Sequence, residues 1–427
     1  MDQIISPAKY LSGCIRLPGD KSISHRALMM AAIAEGTTEI ENLSTGKDVQ
    51  STANCLRQLG VKVKQKAGVV QVVGRGLDGL VKPDATLDVG NSGTTMRLLA
   101  GILAGHAFTS TIRGDASIQR RPMSRIVKPL RQMGADVQAV KGEFAPLRIT
   151  GGNLRAISYR MPVASAQLKS CILFAGLYAD GTTEVIEPSL TRDHTERMLQ
   201  TFGAQLNKDG LKSSVSARPQ LRAQKIFVPG DLSSAAFFIA AGILGAESEL
   251  LIENVGINPT RKAFLTILCD LGARIEIINV ASMNNELVAD ILVQSSKLKG
   301  LRIPPEKVPQ VIDELPVLAV LATQAEGSTE IRGAGELRFK ESDRLRAVSR
   351  NLHKMGAEVE ELEDGWIVHG PVQLQGAELD SYHDHRIAMA FTVAALTARG
   401  PSKIRHADCA QISFPEFYDL LQRVRND

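Results

Sequence analysis

Five times along this chain an apolar residue is followed by glycine, a small residue and a short alternating stretch. The copies are Leu59-Gly60-Val61, Met133-Gly134-Ala135, Phe202-Gly203-Ala204, Leu271-Gly272-Ala273 and Met355-Gly356-Ala357, with glycine spacings of 74, 69, 69 and 84 residues. Each copy predicts the same local event. A helix ends on a glycine with positive φ, where a side chain would be strained, and a strand of period two begins. Repetition at this interval makes the chain an array of similar supersecondary units.

A second kind of helix recurs beside the first. It is apolar nearly all round and begins at Ser22, Ser92, Ser165, Ser233, Asp313 and Asp384. A helix without a polar face must be buried, and Ser or Asp near its start predicts N-capping. The sixth copy of the more polar helix falls at 414–424, cut short by the end of the sequence. Six units of about 70 residues in a 427-residue chain predict an α/β protein of two similar domains with three repeats each. Two Pro-Gly-Asp turns, Pro18-Gly19-Asp20 and Pro229-Gly230-Asp231, precede the first and fourth buried helices. They predict a discontinuous domain of 1–18 plus 230–427, a domain of 19–229, and a hinge near 18–20 and 228–231.

Charge and composition narrow the function. A net charge of +4 and 4% aromatic residues supply neither a polycationic surface nor a base-stacking platform, so no nucleic-acid partner is expected. Cys14, Cys55, Cys171, Cys269 and Cys409 are widely spaced and signal neither a disulfide framework nor a zinc site. The first ten residues lack a secretory pattern, and the longest apolar runs are about a dozen residues, so no membrane association and a cytoplasmic location are expected.

The chemistry gathers at the helix starts. Lys21, Ser22 and Arg26 open the first buried helix, Gly93 the second, Ser165 and Gln167 the third, Asp313 the fifth, and His385 and Arg386 the sixth. The polar helices add Arg121, Arg192, Lys340, Glu341 and Arg344. Helix N-termini carry unpaired N–H groups and a partial positive charge. Together with seven cations (Lys21, Arg26, Arg121, Arg192, Lys340, Arg344 and Arg386) they predict a ligand set with several anionic groups. Asp313 and Glu341, set among those cations, are the acid–base candidates. Each residue alone has a plainer explanation. Glu341 and Arg344 are three residues apart and fit a surface ion pair, Asp313 and Ser22 fit helix caps, and His25 and His385 fit core or capping histidines. Their recurrence at equivalent positions outweighs those explanations. Gly74-Arg75-Gly76-Leu77-Asp78-Gly79 matches a dinucleotide fingerprint in letters only, since Pro83 follows closely and opposes a helix start.

The assembled stretches resemble the 3-phosphoshikimate 1-carboxyvinyltransferase (EPSP synthase) family. They are LPGDKSISHR at 17–26, GNSGTTMRLLAG at 90–101, GDASIQRRPM at 114–123, ASAQLKS at 164–170, PGDLSSAAF at 229–237, DELPVLAVLA at 313–322, LRFKESDRL at 337–345, DHRIAMAF at 384–391 and SFPEF at 413–417. ASAQ resembles the family's second class, although many members have Ser where Ala166 stands. The resemblance implies two domains of three βαβαββ units each, an inside-out α/β barrel closing over a cleft. It implies transfer of the enolpyruvyl group of phosphoenolpyruvate to the 5-hydroxyl of shikimate 3-phosphate, with no cofactor, no metal and, as we expect, a monomer. By motif, shikimate 3-phosphate is assigned to Lys21, Ser22, Arg26, Ser165, Gln167, Arg192, Asp313 and Lys340. Phosphoenolpyruvate is assigned to Lys21, Gly93, Arg121, Gln167, Arg344, His385 and Arg386. Asp313 is implied as the base, and Glu341 or Lys21 as the acid that protonates the methylene carbon.

Two details qualify the match. Many members carry Lys just before the Ser/Thr-Phe-Pro motif, where this chain has Ile412, so that position is left out of the site. Gly93 lacks the methyl found in some members tolerant of glyphosate, the family's inhibitor, so sensitivity is expected. The related UDP-N-acetylglucosamine enolpyruvyl transferases typically use a loop Cys near the position of Arg121, and 113–123 contains none. A non-catalytic polyanion-binding repeat protein would not need Asp313 and Glu341 among its cations.

Overall fold

A computed structural model gives the fold and describes residues 1–66 and 68–426. The chain divides into two compact units. The first comprises Gly19–Val228 with Met283–Glu286, and the second Met1–Pro18, Pro229–Ser282 and Leu287–Asp427.

In the first unit the apolar helices are α1 (Lys21–Ile33), α3 (Gly93–Ala104) and α6 (Ala166–Gly176). The more polar ones are α2 (Lys47–Gln58), the short α4 (Ala116–Arg120), α5 (Ser124–Gln132) and α7 (His194–Thr201). From Ile23 to Ile33 every residue of α1 is buried, as its uniform apolarity requires. Where α3 meets α6, a Cβ on Gly101 would lie 2.2 Å from the Cys171 carbonyl oxygen, so only glycine allows that approach. Forcing a methyl into such a contact costs about 1–3 kcal/mol.

Three sheets surround these helices with one topology. The first orders its strands Lys225–Phe227, Thr37–Glu41, Val69–Val73, Lys62–Lys66. The second orders Leu87–Asp88, Thr109–Arg113, Phe144–Thr150, Asp136–Val140, and the third Ser158–Arg160, Thr183–Ile186, Lys212–Val215, Leu206–Asp209. In each the first pair is parallel and the other two antiparallel. The parallel strand of the first sheet, Lys225–Phe227, comes from the far end of the unit, so the last residues of the third repeat complete the first.

The second unit repeats the plan. Its apolar helices are α8 (Leu232–Leu244), α10 (Leu315–Ala322) and α12 (His385–Leu396); α9 (Ala263–Asp270), α11 (Arg344–Lys354) and α13 (Phe417–Val424) flank them. Here the N-terminus closes the set. Tyr10–Arg16 pairs in parallel with Glu249–Gly256, and Gln3–Ile5 pairs antiparallel with Ser402–Arg405. Among the described residues, no helix is long and apolar enough to cross a membrane.

All five predicted glycine stops are Schellman motifs. Gly60, Gly134, Gly203, Gly272 and Gly356 have φ of +85°, +107°, +96°, +95° and +80°. Each donates to the carbonyl three residues back, and the next residue donates to the carbonyl five back, as in Gly60 N to Arg57 O and Val61 N to Leu56 O, both 3.0 Å. The caps need correction. Ser92, Ser165 and Asp384 cap as expected. At α1 and α8 the capping side chains are Asp20 and Asp231, accepting from Ile23 N (2.9 Å) and Ser233 N (2.8 Å). Ser22 and Ser233 lie inside the first turn, past the point where the backbone turns helical. The helix expected to begin at Asp313 begins at Leu315 and has no side-chain cap. Gly74–Gly79 is a loop after a strand, as its sequence suggested.

Candidate active site

In the first unit the starts of α1, α3, α6 and α7 carry the polar residues picked out from the sequence. Arg26 is 3% exposed. Its Nε donates to Thr195 Oγ1 (2.6 Å), Nη1 to the Ser22 carbonyl (2.8 Å) and Nη2 to Ser170 Oγ (2.8 Å). All three acceptors are uncharged. Burial pushes the guanidinium pKa down to about 10, only partly offset by the charges of Glu196 and Asp20. A buried cation bonded solely to neutral oxygens favours an anionic ligand. Thr195 and Ser170, whose hydroxyls share a 2.6 Å bond, were not in the sequence-derived site. Ser170 ends the ASAQLKS motif but, like Thr195, could not be tied to Arg26 from the letters, because Thr195 and Ser170 lie 169 and 144 residues from it.

Lys21 pairs with Asp48 on α2 at 3.1 Å. Gln167 bridges two helices, accepting from Arg97 Nη1 (2.5 Å) and donating to Thr94 Oγ1 (3.0 Å). Ser165 Oγ caps α6, accepting from Leu168 N at 3.3 Å. Gly93 is the first residue of α3, and a Cβ there would lie 3.1 Å from Arg97 Nη1 and 3.3 Å from Arg121 Nη1. Arg121 Nη2 donates to Ser117 Oγ (2.9 Å) and to Asn91 Oδ1 (3.4 Å). Arg192 lies half-buried in the turn before α7. Lys169 is structural: fully buried, it bonds Glu187 (2.8 Å) and Glu196 (2.6 Å).

His25 is a core residue, in line with its plainer reading. Thr95 gives its hydroxyl proton to Ser92, so Thr52 donates to Thr95, and His25 Nδ1 donates to Thr52 at 2.6 Å. Burial holds the imidazole pKa well below its ordinary value, with Lys21 and Arg26 adding to the effect. Neutral His25 thus ties α1 through α2 to α3.

In the second unit Arg344 is the centre. It is 1% exposed and contacts three carboxylates. Nε and Nη2 reach Asp384 (2.8 and 3.2 Å), Nη2 also reaches Glu341 (2.7 Å), and Nη1 lies 3.5 Å from Asp313. Burial alone would lower its pKa, but Asp384, Glu341 and Asp313 outweigh burial and raise it. Glu341, 17% exposed at its side chain, therefore belongs to a partly buried cluster around Arg344 and not to an isolated surface pair. Asp384, absent from the sequence-derived site, is fully buried, accepts from Ser342 Oγ (3.0 Å) and caps α12 through Arg386 N (2.9 Å). Arg386 is 5% exposed. Its Nη1 donates to the Ser233 carbonyl (3.3 Å) and its guanidinium carbon lies 6.0 Å from the Phe237 ring centroid. Among the described residues its Nε has no hydrogen-bond partner. His385 is the buried first residue of α12, and Lys340 directly follows a 3₁₀ turn, Gly335–Phe339. Ile412 packs partly buried against the core.

Comparison with known proteins shows the family. The sequence profile described as EPSP synthase (3-phosphoshikimate 1-carboxyvinyltransferase) matches residues 5–421. The chain belongs to the EPSP synthase family. The 3-phosphoshikimate 1-carboxyvinyltransferase of Brevibacillus brevis is 51% identical over 421 residues, 98% of this chain and 99% of that protein. That of Solibacter usitatus is 51% identical over 424 residues, covering 99% of this chain and all of the relative. A solved EPSP synthase from Acinetobacter baumannii superposes with a TM-score of 0.89 at 43% identity, covering 99% of this chain and 98% of that one. The enolpyruvyl transferase NikO from Streptomyces tendae shares the fold, with a TM-score of 0.79 at 18% identity over 99% of this chain and 96% of that one. Among the described residues of this EPSP synthase family member, no group of three or more His, Cys, Asp or Glu is placed to hold a metal ion.

Proposed function

We propose that this enzyme transfers the enolpyruvyl group of phosphoenolpyruvate to the 5-hydroxyl of shikimate 3-phosphate, releasing phosphate, with the residues assigned by motif in their family roles. The observation that carries the assignment is Arg26, a buried guanidinium held, among the described residues, only by uncharged oxygens. In this reading Arg26, Ser22, Ser165, Gln167, Arg192 and Lys340 hold shikimate 3-phosphate. Arg121, Arg344, His385 and Arg386 hold phosphoenolpyruvate, with Gly93 leaving room for it. Lys21 serves both substrates.

The reaction is an addition followed by an elimination. Asp313 takes the 5-hydroxyl proton as that oxygen bonds to C2 of phosphoenolpyruvate. Glu341 or Lys21 gives a proton to C3, converting the methylene to a methyl and yielding a tetrahedral phosphate adduct. Loss of a C3 proton then expels phosphate and restores the double bond. Charge placed before the reaction begins suits such chemistry, because the site need not reorganise as charge develops. Asp313 retains 20% side-chain exposure, which leaves its carboxylate within reach of a ligand.

Phosphate release from phosphoenolpyruvate tests the proposal. Release is expected with shikimate 3-phosphate as acceptor and not with UDP-N-acetylglucosamine; no release with shikimate 3-phosphate refutes it.

A variant probes the phosphoenolpyruvate side. The Cβ of Gly93→Ala would press on Arg97 and Arg121 at 3.1 and 3.3 Å, tighter than most carbon contacts. These are ends of flexible side chains, so they yield by a few tenths of an ångström and the fold survives. We expect KM for phosphoenolpyruvate to rise by about fivefold and inhibition by glyphosate to weaken by a further factor of about ten, about 1.4 kcal/mol. Competitive inhibition constants measured on both proteins check this, and unchanged glyphosate inhibition contradicts it.

A further inference from the structure

Arg26 and Arg344 are both buried, and both are gripped along the same edge of the guanidinium. On Arg344 the Nε and Nη2 groups donate side by side to the two carboxylate oxygens of Asp384, at 2.8 and 3.2 Å. On Arg26 the same two nitrogens donate to a pair of hydroxyls, Nε to Thr195 Oγ1 at 2.6 Å and Nη2 to Ser170 Oγ at 2.8 Å. The two hydroxyl oxygens lie 2.6 Å from one another, so each guanidinium meets a two-oxygen fork. Asp384 brings a negative charge with its oxygens, and the hydroxyl pair brings none.

The direction of every bond in the pair is fixed by its protons. A hydroxyl has one proton to give. Ser170 spends its own on the Ala166 carbonyl at 2.6 Å, one turn back in α6. The bond between the hydroxyls therefore runs from Thr195 to Ser170. Thr195 then has no proton left either, and both oxygens face Arg26 as acceptors. Ser170 and Thr195 are each 1% exposed, so neither is open to a ligand. A guanidinium has five N–H bonds. Two go to this pair, and one, from Nη1, goes to the Ser22 carbonyl at 2.8 Å. One N–H on each of Nη1 and Nη2 remains, and among the described residues neither has an acceptor.

We infer that Ser170 and Thr195 are positioning residues, a neutral stand-in for a carboxylate that fixes the plane of Arg26 and leaves its charge and two N–H bonds to an anionic group of shikimate 3-phosphate. The inference rests on Arg26 binding that substrate in the proposed reaction. A carboxylate in their place would orient the guanidinium equally well but would compete with the ligand for its charge. An apolar pair would leave buried N–H groups unpaired and the plane unfixed.

Three substitutions at Thr195 in the full-length enzyme separate orientation from charge. Thr195→Val keeps the shape and removes the hydroxyl, Thr195→Ser keeps the hydroxyl, and Thr195→Asp adds a carboxylate. Calorimetric titration with shikimate 3-phosphate reads the affinity, and thermal melts read the fold. We expect Kd to rise about tenfold in Thr195→Val, to stay within about twofold of the wild type in Thr195→Ser, and to rise about 10²-fold in Thr195→Asp. KM for phosphoenolpyruvate should stay within about threefold throughout. Thr195→Asp can pair with Arg26, so it should melt no lower than Thr195→Val while binding more weakly. A purely structural role would instead make the better-folded variant the better binder. If the wild type binds shikimate 3-phosphate and Thr195→Val binds it as tightly, or Thr195→Asp binds it at least as tightly as Thr195→Val, the inference is overturned while the proposed reaction stands. If the wild type does not bind it, the proposed reaction fails first and takes the inference with it.

Discussion

Asp313→Asn is expected to lower kcat by about 10³-fold and to leave shikimate 3-phosphate bound nearly as tightly as in the wild type. A positioned general base contributes about 10²- to 10⁴-fold, and an amide of the same shape cannot accept the proton. The substitution is mild in every other respect. Arg344 keeps Asp384 at 2.8 Å and Glu341 at 2.7 Å, so it remains neutralised after Asp313 loses its charge. The partly exposed position adds little to the core, so the fold should persist. Steady-state rates combined with calorimetric titration of shikimate 3-phosphate separate the two effects. Activity within tenfold of the wild type would assign the proton to another acceptor.

Arg344→Met carries the second large effect, on stability as well as rate. The side chain fits a buried, elongated space, but the charge serving Asp313, Glu341 and Asp384 disappears. Removing one partner of a buried ion pair costs about 3–5 kcal/mol, because the remaining charge stays desolvated and unpaired. Here Asp313, Glu341 and Asp384 all lose the guanidinium they share. The deficit should be largest at neutral pH and shrink as the pH falls. Mutual repulsion raises carboxyl pKa values in the folded variant above those of its unfolded chain, so the folded state binds more protons there. Denaturant melts of variant and wild type at several acid and neutral pH values measure the difference. A deficit that stays constant or grows toward low pH contradicts this account of the cluster.

The sequence was most informative where the physics is local. The Schellman stops at Gly60, Gly134, Gly203, Gly272 and Gly356 are legible because one glycine conformation and two short-range hydrogen bonds define each of them. Helices apolar on all sides could only be buried ones. The cap assignments show the limit of this reasoning. In Gly-Asp-x-Ser both Asp and Ser can cap, and the choice depends on where the backbone enters the helix, which the preceding strand decides. Asp20 and Asp231 won at α1 and α8 for that reason.

The candidate site divides the same way. Lys21, Arg26, Asp313, Glu341, Arg344 and Arg386 stand in ordered motifs and could be picked out from the letters alone. Ser170, Thr195 and Asp384 could be weighed only with coordinates, since each acts on a residue at least 25 positions away. The repeat, its helix ends, its buried helices and the family chemistry can thus be read from the letters alone, because short-range periodicity and motifs encode them. How each unit closes on itself emerges only in three dimensions, with Lys225–Phe227 completing the first sheet and Tyr10–Arg16 the fourth repeat. So does the choice of which carboxylate neutralises which arginine. Sheet edges and buried charges must find partners, but no local rule says from how far along the chain those partners come.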